Sequence, residues 1–163
     1  MKPVARPYPD EAAARHLIIG IGNEYRGDDA AGIAVARKLG SMNLSSWSVI
    51  EAAGDGAGLI ELWKHKDYVI LVDATVSGSL PGAVTRVDLL NCDVLPESLR
   101  FSSHALGLAG AIELARTLHQ LPSHAILYGI EGHRFDHGVE MSKAVADSVE
   151  TVVSQIANEI SLN

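Results

Sequence analysis

At 163 residues with 47% hydrophobic content, the chain has the size and apolar content of one domain around a single core. Its formal net charge of -7 offers no positive field for phosphate backbones, which argues against nucleic acid as a main partner. No apolar run reaches the ~20 residues of a membrane helix, the opening MKPVARPYPDEAAARH has charges and prolines where a signal peptide needs its apolar stretch, and Cys92 stands alone, so a cytoplasmic protein without disulfide, CxxC site or membrane partner is expected.

Residues 1–15 hold three of the prolines, both signs of charge and no periodicity, and read as an irregular arm before a single domain over residues 16–163. HLIIGIG, His16 to Gly22, is a short apolar run closed by glycine. A polar loop follows, then a helical pattern through Ala30, Ile33, Ala34 and Leu39. WSVIEAA from Trp47 repeats the strand signal, Leu59, Ile60 and Trp63 mark a short helix, and DYVILVDA, Asp67 to Ala74, is apolar enough for a central strand covered on both faces. After SGSLPG the alternation of Ala83, Thr85, Val87 and Leu89 predicts an edge strand with one wetted face, running antiparallel. A proline-containing loop leads to a helix with Leu108, Ile112, Ala115 and Leu118 on one face. HAILYGI from His124 is another buried strand, and Val145, Val149, Val152, Ile156 and Ile160 form the inner stripe of the last helix. Parallel strands need crossover helices, so this alternation predicts a three-layer α/β/α fold of the phosphorylase/hydrolase-like kind. Its twisted sheet has about five strands and is mainly parallel.

In such sheets the reactive groups gather beyond the carboxyl ends of the strands. Three loops there carry chemistry. GIGNEYRGDDAAG, Gly20 to Gly32, brings Asp28 and Asp29 to a helix start, where one aspartate suffices to cap free N–H groups and the second is left to explain. Asp73 ends the most apolar strand, where an unpartnered carboxylate would cost several kcal/mol, and a cation is its simplest partner. Ser102, Ser103 and His104 read as a hydroxyl cap followed by an imidazole in the first turn of a helix, a place that disfavours protonation and keeps His104 competent as a ligand. Two carboxylates and one imidazole make a donor set for zinc, nickel or manganese. Capping and structural hydrogen bonds also explain each residue singly, so the residue types alone leave both readings open.

Five blocks in order, GIGNEYRGDDAAG, DGAGLIELW, VILVDA, SSHALGL and YGIEGHRFDHGVEMS, resemble the hydrogenase maturation protease family over most of the chain, from about Leu17 to Val153. The resemblance implies an endopeptidase of the kind grouped as peptidase family M52. Its substrate would be a [NiFe]-hydrogenase large-subunit precursor, whose C-terminal extension is cut after nickel insertion. It further implies that Asp29, in a place where the family often has glutamate, together with Asp73 and His104, recognises the substrate's nickel or holds a divalent metal such as zinc. A monomer is expected. Asn23, Asp28, Gly54, Asp55, Gly56 and His133 would border the substrate cleft, though a turn explains Gly54 to Gly56 equally well. His133, Asp136 and His137 read as a solvated loop near that cleft, Arg134 as a surface arginine, and His16, His65, His119 and His124 as structural.

Two other classes compete. A dinucleotide-binding module would use Gly20-x-Gly22 with Glu51 as the ribose acid, but Gly27 falls five residues after Gly22 where three are needed, and an acidic pair at the helix start repels a pyrophosphate. A peptidyl-tRNA hydrolase-like esterase shares the opening Gly20 to Asn23, but this chain has the acidic pair where that family follows its loop with an asparagine and a catalytic histidine, and its negative charge repels tRNA. Neither H-E-x-x-H nor GxSxG occurs.

Overall fold

The computed structural model describes residues 14–96 and 105–161. In chain order these form β1 (His16–Ile21), a 3-10 turn (Gly27–Ala30), α1 (Ala31–Ser41), β2 (Trp47–Ala52), α2 (Gly56–Trp63) and β3 (Tyr68–Thr75). They continue with β4 (Val84–Asp88), α3 (Ala105–Thr117), β5 (His124–Glu131) and α4 (Lys143–Ser161). One five-stranded sheet has the order β2-β1-β3-β5-β4. All pairs are parallel except β4 with β5, so the antiparallel edge strand falls where the alternating pattern placed it. Among the described residues no helix is long and apolar enough to cross a membrane.

Strand side chains alternate between faces, and both faces of the central strands are covered. Ile18, Ile70, Val72 and Ile126 pack with Val35 and Leu39 of α1 and with Val145, Val149, Val152 and Ile156 of α4. Leu17, Ile19, Val69, Leu71 and Leu127 pack on the opposite face, with Leu59 and Trp63 of α2 and Ile112 and Ala115 of α3. Burying side chains of this kind contributes ~1.5–3 kcal/mol each, which is why the continuous apolar runs become the inner strands.

Two details of the helices differ from the pattern reading. The inner face of α1 is Ala31, Val35 and Leu39 with Gly32 and Ala36, whereas Ala34 is half-buried and Ala30 belongs to the 3-10 turn. Close approach to the sheet sets this. A Cβ on Gly32 would collide with the carbonyl oxygens of Ile21 and Val72, and one on Gly20 with the carbonyl of Gly32, so small residues face the sheet where large ones mark helices elsewhere. Leu118 lies past the end of α3 and is 51% exposed, because the chain turns away at His119 with φ 54°.

The amino end of the sheet carries no candidate chemistry. The first residues of β2, β1, β3 and β5 are Trp47, His16, Tyr68 and His124, and their rings follow one another across the sheet with centroids 4.9 Å (His16–Trp47), 5.0 Å (Trp47–Tyr68) and 5.3 Å (Tyr68–His124) apart. His16 and His124 are thus members of a packed aromatic row, in keeping with a structural role. Behind it, Glu159 of α4 accepts from Tyr68 Oη at 2.5 Å, Tyr128 Oη at 2.7 Å and Arg86 Nη2 at 2.7 Å. Burial alone would raise the Glu159 carboxyl, but Arg86 and the two phenols outweigh it and hold it below its ordinary range. Burial, reinforced by the Glu159 carboxylate, pushes Tyr128 up to about 12. This cluster ties β3, β4 and β5 to the last helix.

Candidate active site at the carboxyl edge of the sheet

From β1 the chain crosses to β2 through α1 on one face. It then returns to β3 through α2 on the other. Strands β1 and β3 are neighbours, so the connections diverge between them, and the crevice outside their carboxyl ends is where open α/β sheets bind ligands. Asp29 lies in the 3-10 turn that follows β1, and Asp73 is the third-last residue of β3. Both carboxylates are buried.

The local sequence explains these positions. Alternation along β3 sends Val69, Leu71 and Asp73 toward α2 and α3, so the last member of an apolar set is an acid. Its register partner on β5 is Gly129, which brings no side chain beside it. Oδ1 of Asp73 accepts from the Ala74 amide at 2.8 Å. Asp29 is held by its backbone: its carbonyl accepts from the Asn23 amide at 3.3 Å and its own amide donates to the Arg26 carbonyl at 3.1 Å. Arg26 Nη1 stands 4.0 Å from Asp29 Oδ2, a distant pairing with a guanidinium that also donates to the Phe135 carbonyl at 3.1 Å.

Asp28 is different. It was expected as a helix cap or a cleft residue, yet its side chain is fully buried and serves neither α1 nor the surface. Oδ2 accepts from the amides of His133 at 2.9 Å and Arg134 at 3.0 Å, and Oδ1 accepts from the amide of Ser142 at 2.7 Å. The Asp28 amide donates in turn to the Arg134 carbonyl at 2.7 Å. One carboxylate therefore fastens the β5–α4 loop to the β1 loop across more than a hundred residues. Burial works against its ionisation, but the three amide donors prevail and hold its carboxyl below the usual range.

Glu131, the last residue of β5, passed unnoticed in the sequence. It is 3% exposed and accepts four hydrogen bonds: Ser77 N at 2.7 Å and Gly78 N at 2.9 Å on Oε1, and the hydroxyls of Thr75 and Ser77 at 2.9 Å on Oε2. With two donors on each oxygen it is saturated. Of the four buried acids at this edge, Asp28 and Glu131 are thus loop anchors, and Asp29 and Asp73 form the candidate catalytic pair. A largely apolar strand ending in glutamate was the only hint of Glu131, and it does not distinguish an anchor from a solvated strand end.

The remaining expected residues are spread along the same edge. Asn23 lines a cleft of about 310 Å³ together with Gly22, Glu24, Tyr25, Ile33, Arg37, Glu51, Ala52 and Ala53. Asp55 caps α2, accepting from the Gly58 amide at 2.9 Å, so the turn reading of Gly54 to Gly56 holds. A Cβ on Gly107 would strike the Gly54 carbonyl, which places the first turns of α2 and α3 against each other at this edge. The His133 ring is half-exposed, with Nδ1 3.3 Å from Asp28 Oδ2. Asp136 and His137 lie in the same loop, His137 on its exposed side. Ser102, Ser103 and His104 lie outside the described residues. Among the described residues, no three His, Cys, Asp or Glu side chains gather closely enough to hold a metal, so the third donor of the expected set rests on His104 alone.

An open α/β sheet with buried carboxylates at its switch point defines an α/β enzyme whose candidate site is acidic and has no serine or cysteine nucleophile among its described members. The family model described as HycI, hydrogenase maturation protease, matches residues 33–159. A protein of Methanocaldococcus jannaschii assigned as a hydrogenase maturation protease is 32% identical over 152 residues, covering 88% of this chain and 95% of its own length. Among solved structures, the [NiFe] hydrogenase maturation protease HybD from Thermococcus kodakarensis superposes with a TM-score of 0.69 at 25% identity, covering 90% of this chain and 98% of that one. HycI from the same organism gives 0.66 at 28% identity, with 89% and 91% covered. The chain belongs to the hydrogenase maturation protease family and is a protease. The dinucleotide-binding and peptidyl-tRNA hydrolase readings fall away.

Proposed function

We propose that this protease removes the C-terminal extension of a [NiFe]-hydrogenase large-subunit precursor once nickel has been inserted, and that Asp29, Asp73 and His104 recognise the nickel the substrate carries. The observation that supports this most is the burial of Asp29 and Asp73 on adjoining segments at the carboxyl ends of β1 and β3. Two buried carboxylates on adjoining segments concentrate negative charge at this edge, which a metal cation would offset. Oxygen donors of this type, joined by one imidazole from His104, suit nickel or zinc at moderate affinity. An incoming metal-loaded substrate then supplies the positive charge, and selectivity for the loaded form follows from the acids themselves. If the protein holds a weakly bound divalent ion such as zinc, the same three residues would hold it, and the ion would supply polarisation of the scissile carbonyl.

The chain's own groups have separate tasks. Asp28 fixes the loop bearing His133 and Arg134 against the site, and the Asn23 side chain shapes the neighbouring cleft by accepting from the Tyr25 amide at 2.9 Å. We place the reaction in the cytoplasm with the enzyme acting as a monomer, in line with its acidic, single-cysteine composition. The test is precursor trimming by Asp29→Asn, Asp73→Asn and His104→Ala, followed by the C-terminal mass of the product. Loss of trimming in all three with melting temperatures near that of the parent supports the assignment; near-normal trimming by any one removes that residue from the site.

A further inference from the structure

Arg26 stands at the start of the 3-10 turn, and Asp29 follows three residues on. In a 3-10 helix the side chains at i and i+3 lie one above the other, and the Asp29 amide closes that turn by donating to the Arg26 carbonyl at 3.1 Å. The sequence thus sets a cation beside a fully buried carboxylate. Arg26 Nη1 is 4.0 Å from Asp29 Oδ2, with the Arg26 side chain 32% exposed and that of Asp29 0% exposed. At this distance the guanidinium attracts the carboxylate without donating a hydrogen bond to it. Its bond goes elsewhere. Nε donates to the Phe135 carbonyl at 3.1 Å, in the loop that Asp28 fastens through the amides of His133, Arg134 and Ser142. Gly27 presses on the same loop, since a Cβ there would strike the Arg134 carbonyl. The positive charge is therefore held by the loop and not by the acid it faces, so it stays beside Asp29 when another group binds that acid. Arg37 of α1 cannot take this place, being committed to Glu24 at 2.7 Å and Glu51 at 2.9 Å.

We propose that Arg26 is a fixed counter-cation of Asp29, a positioning residue that lowers the affinity of this acid for free divalent ions and so reserves it for a metal presented on the substrate. The inference rests on the reading of Asp29 as a residue that meets the metal. A bare aqueous dication approaching Asp29 brings two positive charges next to a tethered guanidinium, and like charges a few ångströms apart repel strongly where burial weakens screening. A dication already bound by anionic side chains of a precursor carries their negative charge with it and meets less opposition. Free ion and loaded substrate are thereby separated by their net charge at one carboxylate. Arg26 acts only through Asp29 in this scheme.

The experiment titrates free nickel ion into the full-length chain and into Arg26→Gln, Arg26→Met and Arg26→Lys by calorimetry, and measures trimming of nickel-loaded precursor over a range of added free nickel. Asp29→Asn is the reference, and binding that survives in it belongs to other side chains and is subtracted. Removing the charge tightens nickel binding about tenfold in Arg26→Gln, and free nickel inhibits trimming by that variant at a correspondingly lower concentration. Arg26→Lys keeps the charge and stays within about threefold of the parent. Arg26→Met carries the test where Arg26→Gln does not fold. A role confined to holding the loop would lower the melting temperature without tightening nickel binding. Nickel affinity in the uncharged variants equal to or weaker than that of the parent, including no binding in either, overturns the proposal. Asp29→Asn also separates this claim from the one beneath it. If that variant trims loaded precursor as well as the parent does, the site assignment fails and the role of Arg26 with it. Loss of trimming in Asp29→Asn beside unchanged nickel binding in Arg26→Gln overturns the role of Arg26 alone.

Discussion

Replacing Asp28 by asparagine tests whether this acid is a structural anchor, since the change keeps the side-chain shape and exchanges one oxygen for an NH2 group. The best orientation leaves the remaining oxygen facing the amides of His133 and Arg134, both on Oδ2, and turns the NH2 group toward the Ser142 amide, which bonded Oδ1 at 2.7 Å. Two donors then face each other in a fully buried place. Leaving one buried N–H unsatisfied costs about 1–3 kcal/mol, and the two surviving bonds weaken because their acceptor is no longer charged, so a total near 2–4 kcal/mol is expected. For a chain of this size that corresponds to a fall in Tm of roughly 5–15 °C at neutral pH. The pH dependence has a definite sign. The carboxyl of folded Asp28 lies below its unfolded value, so its contribution is complete above about pH 4 and is lost as pH falls through the folded pKa. The gap between parent and variant should therefore narrow in acid. Thermal melting by circular dichroism from pH 3 to pH 7 measures both. A variant melting within 1 °C of the parent at pH 7, or a gap that widens in acid, refutes the anchor.

Gly32→Ala places a methyl against the carbonyl oxygens of Ile21 and Val72, and since backbone on both sides cannot yield cheaply, a loss of about 3 kcal/mol or failure to fold is expected in denaturant titration. Tyr68→Phe removes one donor from Glu159 while Tyr128 and Arg86 remain, so equilibrium unfolding should register a loss of only about 1 kcal/mol. Asp136→Asn lies in the exposed loop beyond β5 and should slow trimming by less than tenfold, about 1.4 kcal/mol in the barrier, in a kcat/KM assay. Asp73→Asn should abolish trimming while keeping a cooperative melt, because the amide fills the same space at the end of β3 and removes only the charge.

The sheet was legible because its signals are local. LIIGI and YVILV are apolar runs and became inner parallel strands, while VTRVD alternates and became the antiparallel edge. Helix α1 was placed correctly but its face was misjudged. Gly32 and Ala36 carry little hydrophobic signal, and their importance lies in the closeness of the helix to Gly20, which only three dimensions reveal. At the site, the Asp28–Asp29 pair and Asp73 stood out in the sequence because an acid doubled at a helix start, or at the end of an apolar strand, conflicts with its surroundings, while the choice of Asp29 for the site rests on the family resemblance. Asp28 and Glu131 could not be sorted from them. Their partners lie 105 to 114 residues away for Asp28 and 53 to 56 for Glu131, and those partners are mostly backbone amides, which leave no mark on residue identity. The role of His104 rests on the family resemblance and lies outside the described residues.

The central claim is that the buried acids select a substrate by the metal it carries. Purified enzyme should be incubated with nickel-loaded and nickel-free large-subunit precursor under chelation of free metal, and the C-terminal mass followed with time. The account predicts that only the loaded precursor loses its extension. Equal trimming of both forms, or trimming of neither, would contradict it.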